Sequence, residues 1–514
     1  MDLNTILSFE WGAMAPEFII LGIATILSIV DLFAPKHFDR RILGWIGFAG
    51  ILTALAALIN LIELEPISIL YDTFRLDSFA KAFKILLLVG AAFIMLLAVS
   101  YKPKEGMEEF RGEFYYLLLA GLLGTMMMAS SGDLITLFIG LELLSLSSYI
   151  LAGIRKKHLP SNESAMKYVI NGSISTAITL FGMSYVYGLT GTTNLIEMAV
   201  SLPGLADSQY VYLIGLAFFM IFVGLSFKLA TVPYHMWAPD VYQGAATPVT
   251  AFLSVVSKTA GFVIVLRIIL VIFLNTPAGE AGVAAVTPFL VSVQNYLAVL
   301  AGATMIIGNV VALRQRNIKR LFAYSSIAHA GYLLVAVTAL STFMFDALWF
   351  YLGAYLFMNI GAFAVIQYMT EKTDNEDIGQ FAGLYQRSPL LAVAMGVFIL
   401  SLAGIPGTAG FIGKLNIFMG VLISEPAHYV LASVMIATTV VSYFYYFGIL
   451  TQIFFRPALS EKPTEEETKN TKLPVGMGVV IGLCVIATIF FGIFPNTALD
   501  FFHTNFNGFN DFLQ

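Results

Sequence analysis

Of the 27 lysines and arginines, Lys167, Lys228, Lys258, Arg267 and Lys414 fall inside long apolar stretches rather than between them. A charge at bilayer depth costs at least about 2.5–3.5 kcal/mol on insertion scales, so each is a candidate for function. One carboxylate, Glu142 in FIGLELLSLSSYI, also sits at the middle of an apolar stretch. Burial favours the neutral amine, and a nearby carboxylate favours the ammonium, so a movement of one relative to the other loads or unloads a proton. Lys228, Lys258 and Lys414, together with Glu142, therefore form a candidate proton relay, linked by Ser, Thr, Tyr, His and water. A static ion pair is the alternative for the carboxylate. His235 and His329 read as lying near cytoplasmic helix ends or breaks, and imidazole takes and releases protons near neutral pH. They are candidates for admitting the proton, with a hydrogen-bonded structural histidine as the competing reading. Arg267 and Lys167 stand nearer their helix ends, where a long side chain snorkels outward. Asp240, in WAPDVYQG, reads as a helix cap.

Other chemistries find little support. The single cysteine, Cys484, allows no intrachain disulfide, iron–sulfur cluster or thiolate zinc site. The six histidines are scattered, so no metal or haem site is expected. The segment Gly410 to Leu415 resembles a phosphate loop, but Thr408 stands where its first glycine belongs and Leu415 where Ser or Thr is needed. The net charge of −5 offers no field for nucleic acid. Moving one proton outward against 100 mV costs about 2.3 kcal/mol, so the work must come from a partner subunit or a second ion gradient.

The elements that would position these groups follow from composition. Hydrophobic residues make up 58% and charged residues 11% of the 514. That is too little polar surface for a soluble globule, and a polytopic all-α membrane protein is expected. Apolar runs long enough to span occur near 15–34, 43–64, 82–101, 114–130, 132–153, 163–190, 210–240, 245–274, 288–312, 320–341, 346–370, 390–422, 428–455 and 473–494, fourteen in all. Only Ser130, Ser131 and Gly132 divide the fourth from the fifth. The first run, preceded by Glu10 and Glu17, reads as a retained span. Basic residues cluster in alternate connectors, as at Arg155–Lys157 and Arg314–Arg320, while the opposite connectors hold Arg75, Lys81 and Lys84. The positive-inside rule then places both termini outside. The longest connector, Arg456 to Lys472, reads as a mobile loop.

Two spans carry a lysine beside a helix breaker. Lys228 is followed by Pro233 and Pro239, whereas Lys414 is preceded by Gly404-Ile405-Pro406-Gly407. The opposite chain order, in spans that run in opposite directions, is what an inverted repeat produces, with spans four to eight mirrored by nine to thirteen.

Three segments carry a resemblance: FKLATVPYHMWAPDVYQGAATPVT (Phe227 to Thr250), RNIKRLFAYSSIAHAGYLL (Arg316 to Leu334) and SLAGIPGTAGFIGKL (Ser401 to Leu415). They resemble the motifs of the antiporter-like membrane subunits of respiratory complex I, in the right order along nearly the whole chain. The resemblance implies fourteen helices and two inverted five-helix repeats with broken helices seven and twelve. The corresponding division is an N-terminal three-helix segment 1–112, repeats 113–275 and 276–456, and a C-terminal helix and tail 457–514. It implies a proton channel using Glu142 with Lys228, then Lys258, then Lys414 towards the outer side. It also implies no cofactor in this chain: NAD, FMN, iron–sulfur clusters and quinone belong to partner subunits, which would be the other membrane-arm subunits of complex I. The alternative function is a subunit of a multisubunit sodium/proton antiporter or of a membrane-bound hydrogenase; a static membrane scaffold is the reading from another class.

Overall fold

The computed structural model describes residues 7–35, 37–102, 110–205, 210–274, 276, 288–341, 343–373, 375–457 and 473–512. The loop expected after Arg456 lies almost entirely outside the described residues.

Helices α1 (Ala15–Phe33), α2 (Arg41–Asn60) and α3 (Ser78–Ser100) come first, with a hairpin of β1 (Ile67–Ile69) and β2 (Phe74–Leu76) between α2 and α3. Next are α4 (Arg111–Ala129), α5 (Leu134–Ala152), α6 (Leu159–Thr190) and the short α7 (Leu195–Leu205). The expected seventh span is α8 (Val211–Leu229) followed, after a break, by α9 (Trp237–Gly244). The eighth is α10 (Thr247–Ser254) and α11 (Val256–Phe273), kinked at Val255. Then follow α12 (Phe289–Ala312), α13 (Ile318–Ala339) and α14 (Met344–Thr373). The twelfth span is two half-helices, α15 (Pro389–Ala403) and α16 (Ala409–Ile423). The chain closes with α17 (Tyr429–Phe455), α18 (Val475–Ile493) and α19 (Pro495–Phe506).

Among the described residues, 13 helical stretches are long and apolar enough to span on their own. The interrupted α15–α16 pair supplies the fourteenth expected span, each half being too short alone. The weak divide between the fourth and fifth spans is real. Asp133 caps α5 by accepting from the Ile135 and Thr136 amides at 2.7 and 3.3 Å, which satisfies donors that the first helical turn leaves free. Gly124 of α4 and Gly140 of α5 let those helices touch backbone to backbone, since a Cβ on Gly124 would come within 2.6 Å of the Gly140 carbonyl oxygen.

In a bilayer the interior of a bundle is marked by small and polar residues rather than by apolarity, which lipid tolerates equally well. The apolar stretch of α10–α11 is wholly buried, and α13, α14 and α3 are nearly so, whereas α1 and α6 stand at the periphery. The buried core therefore contains the helices that carry Lys258 and His329.

The placement of several charges departs from the sequence reading. Lys84 does not lie in a connector: α3 begins at Ser78, and Lys84 is fully buried in an ion pair with Glu17 of α1. Glu17 and Asp77 are buried acids, whereas Glu142, the carboxylate that the sequence singles out, is only partly buried. Arg267 does not snorkel. It is 2% exposed and grips Asp77, the N-cap of α3, with both terminal guanidinium nitrogens (Nη2 to Oδ1 2.9 Å), and also donates to the Ala129 carbonyl at 2.6 Å. A bidentate carboxylate partner offsets much of the desolvation of the buried guanidinium. Lys319, counted with the basic connectors, is buried and pairs with Glu376 at 2.8 Å.

Candidate functional site

Both breaks place a lysine close to where a helix stops. α8 ends at Leu229, and Ala230 takes a left-handed conformation with φ of 57°, three residues before the proline that the sequence points to. A residue with a Cβ seldom adopts that conformation. The freed backbone finds partners: the Thr231 amide donates to the Ser226 carbonyl at 3.0 Å, and the Val232 amide to Thr304 Oγ1 of α12 at 3.0 Å. Trp237 spans the gap, its indole N–H donating to the Phe227 carbonyl at 2.9 Å. Lys228 therefore lies in the last turn of α8, not at the middle of one continuous helix. In the second break Gly404 (φ 84°) ends α15, and Lys414 of α16 reaches back to donate to the Leu402 and Ala403 carbonyls at 2.9 and 3.1 Å. An ammonium on terminal carbonyls is favoured by their hydrogen bonds and by the helix dipole.

Lys228, Lys258 and Lys414 are 6%, 2% and 6% exposed. Lys228 Nζ donates to Ser145 Oγ at 3.4 Å, and Thr176 donates to Glu142 Oε1 at 2.9 Å. Ser145, Thr176 and Lys228 line one chamber of about 10 Å³. That is close to the space of a single water. Glu142 and Lys228 thus address the same chamber through hydroxyl groups, with no ion pair between them among the described residues. A cavity of about 230 Å³ adjoins it, sharing Ser175, Gly224 and Phe227, and extends to Asn171, Tyr234 and Met236 at the break.

The other two lysines meet a single face of α13. Lys258 donates to both the carbonyl and the hydroxyl of Ser326. One turn on, His329 Nδ1 lies 2.5 Å from the Tyr351 hydroxyl, and Nε2 lies 3.1 Å from that of Tyr446, which is 2.5 Å from Ser325 Oγ. The Tyr355 ring stands between, with its centre 6.0 Å from Lys258 Nζ and 5.1 Å from the imidazole. One turn further, Tyr332 lies under Lys414, with 4.9 Å from Nζ to the ring centre, and its hydroxyl accepts from Asn309 at 3.2 Å. A ring face attracts a cation at that range. Ser326, His329 and Tyr332, spaced by three, thus form a polar row from Lys258 to Lys414. A second cavity, of about 190 Å³, opens beside Lys414, Thr439 and Tyr443.

Lys258 and Lys414 stand at the two ends of this row; within it His329 and Tyr332 meet ring to ring, with centres 5.6 Å apart. Lys228 reaches Lys258 only by packing: a Cβ on Gly261, one turn beyond Lys258, would lie 3.5 Å from Lys228 Cγ. His329 is not near a helix end; α13 starts at Ile318, which puts His329 three turns in, among buried tyrosines. His235 lies in the first break as expected and is partly buried. Lys167 does reach outward, to Glu163 and Asp240 at 2.7 and 2.6 Å. Asp240 is no cap; it holds Lys167 and Arg320 at once. The sequence reading passed over Ser326 and Tyr332, although their three-residue spacing from His329 was a usable signal. Tyr351 and Tyr446 gave none, being two of 23 tyrosines.

A proton-antiporter membrane family described as NADH:quinone oxidoreductase/Mrp antiporter matches residues 131–441, which include every relay candidate. NADH-quinone oxidoreductase subunit N of a Geobacillus species is 64% identical over 501 residues, covering 98% of this chain and 100% of that protein. A chain of respiratory complex I from Thermus thermophilus superposes with a TM-score of 0.75 at 28% identity, covering 94% of this chain and 98% of its own. A chain of the Mrp complex from a Dietzia species reaches 0.81 at 19% identity, covering 98% and 100%, a likeness of fold alone. The chain therefore belongs to the family of NADH:quinone oxidoreductase and Mrp antiporter membrane subunits.

Proposed function

We propose that this chain is a proton-translocating membrane subunit of respiratory complex I, in the place that subunit N takes in the NADH-quinone oxidoreductases of its relatives. The observation that carries the reading is the row on α13, where Ser326, His329 and Tyr332 lie between the buried Lys258 and Lys414 in the most enclosed part of the bundle. A fixed scaffold gains nothing from three lysines at depth with no carboxylate in ion-pair contact among the described residues, each costly to bury. A relay needs groups that exchange protons, hydroxyls or waters within about 3 Å to carry them, and cavities that wet its two ends. The chamber at Lys228 and the cavity at Lys414 fit those ends.

In this mechanism Lys228, held by Ser145, takes a proton from the first cavity and passes it by way of water to Lys258. Lys258 hands it through Ser326 to His329, whose two ring nitrogens face two tyrosine hydroxyls. Tyr332 and the cavity beside Lys414 carry it on. His235 stands at the break through which the first cavity opens, in a position to assist uptake. Glu142 sets the charge preference of the chamber. Its side chain lies in an exposed apolar stripe of α5 (Ile135, Ile139, Leu146, Ile150). A partly exposed carboxylate there calls for cover by another protein rather than lipid. Another membrane-arm subunit of the complex fits that face. The redox groups (NAD, FMN, iron–sulfur clusters and quinone) reside on this reading in partner subunits, with the chain itself in a bacterial plasma membrane, both termini outside. The two lysine-bearing breaks, in opposite chain order, agree with inverted repeats at 113–275 and 276–456.

Lys228→Ala and Glu142→Ala test the reading. In the assembled complex in sealed vesicles, quinone reduction coupled to proton uptake is expected to fall sharply in each. Normal pumping by both variants would sink the relay. Sodium-dependent transport without redox coupling would instead assign the chain to an antiporter assembly.

A further inference from the structure

Asp240 takes no part in the relay row, yet it is the most heavily contacted acid at the first break. Its carboxylate holds Lys167 of α6 at 2.6 Å through Oδ2 and Arg320 of α13 at 2.6 Å through Oδ1. Arg320 also donates to Gln243 Oε1 at 3.1 Å, and its neighbour Lys319 donates to the Gln243 and Ala245 carbonyls at 3.2 and 2.8 Å. Two adjacent residues of α13 thus grip the last turn of α9. The other side is held just as closely: Tyr168, next to Lys167 on α6, stacks flat on Trp237, with rings 4.5 Å apart and 7° from parallel. Trp237 and Asp240, three residues apart, lie on one face of α9. α9 is only eight residues long. At about 12 Å it cannot hold its own position.

We propose that Asp240 is a positioning residue: by tying α6 and α13 to the same half-helix, it fixes the width of the break and so the cavity that leads to Lys228. α6 contributes Asn171, Ser175 and Thr176 to that route, the break contributes Tyr234 and Met236, and α13 carries the row that receives Lys258. Asp240 therefore joins the element that admits the proton to the element that carries it on. The side chains of Lys167, Asp240 and Arg320 are 42%, 28% and 31% exposed. The tie is therefore open to screening by salt.

This inference rests on the relay reading, and its test separates the two. In the full complex in sealed vesicles, Asp240→Asn keeps the size and packing of the side chain but removes its charge. Proton uptake coupled to quinone reduction is expected to fall roughly fivefold, the combined scale of two partly exposed ion pairs. Asp240→Glu is expected to recover most of it. Raising ionic strength is expected to lower uptake by the wild-type complex more steeply than uptake by Asp240→Asn, a difference that a purely structural defect would not produce. Wild-type uptake and salt response in Asp240→Asn, with Lys228→Ala inactive, overturns the positioning role alone. Normal pumping in Lys228→Ala overturns the relay beneath it.

Discussion

Replacing Lys258 by methionine is expected to slow proton transfer through this chain on the order of a hundredfold, the scale of losing one positioned proton-transfer group. Methionine matches the length and apolar stem of lysine, so packing in the wholly buried α11 is preserved while the ammonium is lost. What disappears is the donor to the Ser326 hydroxyl and carbonyl, and with it the contact by which Lys258 meets the row of α13. The Ser326 hydroxyl remains but faces a thioether that carries no proton. On the proposed reading, in which the work of pumping arrives from redox steps in partner subunits, coupled quinone reduction is expected to slow together with proton uptake. The check is to measure both rates on the assembled complex in sealed vesicles, with the yield of complex recorded so that a fall in rate is not a fall in amount.

The second large effect concerns stability. Arg267→Leu is expected to destabilise the fold by about 3–5 kcal/mol, because it leaves the fully buried Asp77 carboxylate without its directly paired, bidentate cation. Asp77 is 0% exposed and also caps α3, accepting from the Ala80 amide at 2.7 Å. The guanidinium packs against the Phe79 and Phe512 rings, 4.8 and 5.1 Å from their centres, and the same region is tied by the Ser78 amide donating to Asp511 at 2.8 Å. Loss of Arg267 therefore loosens the start of α3 and the C-terminal tail together. Asp77→Asn combined with Arg267→Leu is expected to be less harmful than Arg267→Leu alone, since no unpaired charge is then left behind. Thermal unfolding of the purified complex and the yield of assembled chain measure this. A single variant with wild-type melting behaviour contradicts it.

The spans were legible in the sequence because length and apolarity are what a bilayer demands, and both can be read residue by residue. The interior was legible only where polar groups interrupt the apolar runs. Lys228, Lys258 and Lys414 stand out on that basis and are buried. Lys84 escaped notice because it follows closely on the polar run at Arg75 to Ser78, and the sequence does not show that α3 has already begun at Ser78. Its partner Glu17 escaped because it stands three residues into α1, where an acid reads as an exposed end. Arg267 was misplaced for the converse reason: snorkelling depends on distance to the interface, but the outcome was decided by Asp77, 190 residues away in sequence. The same limit applies to the tyrosines. Tyr351 and Tyr446 are brought to His329 by the packing of α14 and α17 on α13, which no local spacing encodes. Asp240 shows the limit from the other side, since its place in the first turn of a short helix suggested a local cap while its partners are 73 and 80 residues distant.

The central claim is that Lys258 and Lys414 act in series through Ser326, His329 and Tyr332. The direct measurement is the rate of proton uptake coupled to quinone reduction for Lys258→Met, Lys414→Met and the combination, in assembled complexes of equal yield. Groups that act as one unit lose their function once, so the account expects the double variant to be no slower than the slower single variant. Two independent losses that multiply in the double variant, or proton uptake by either single variant at the wild-type rate, would contradict it.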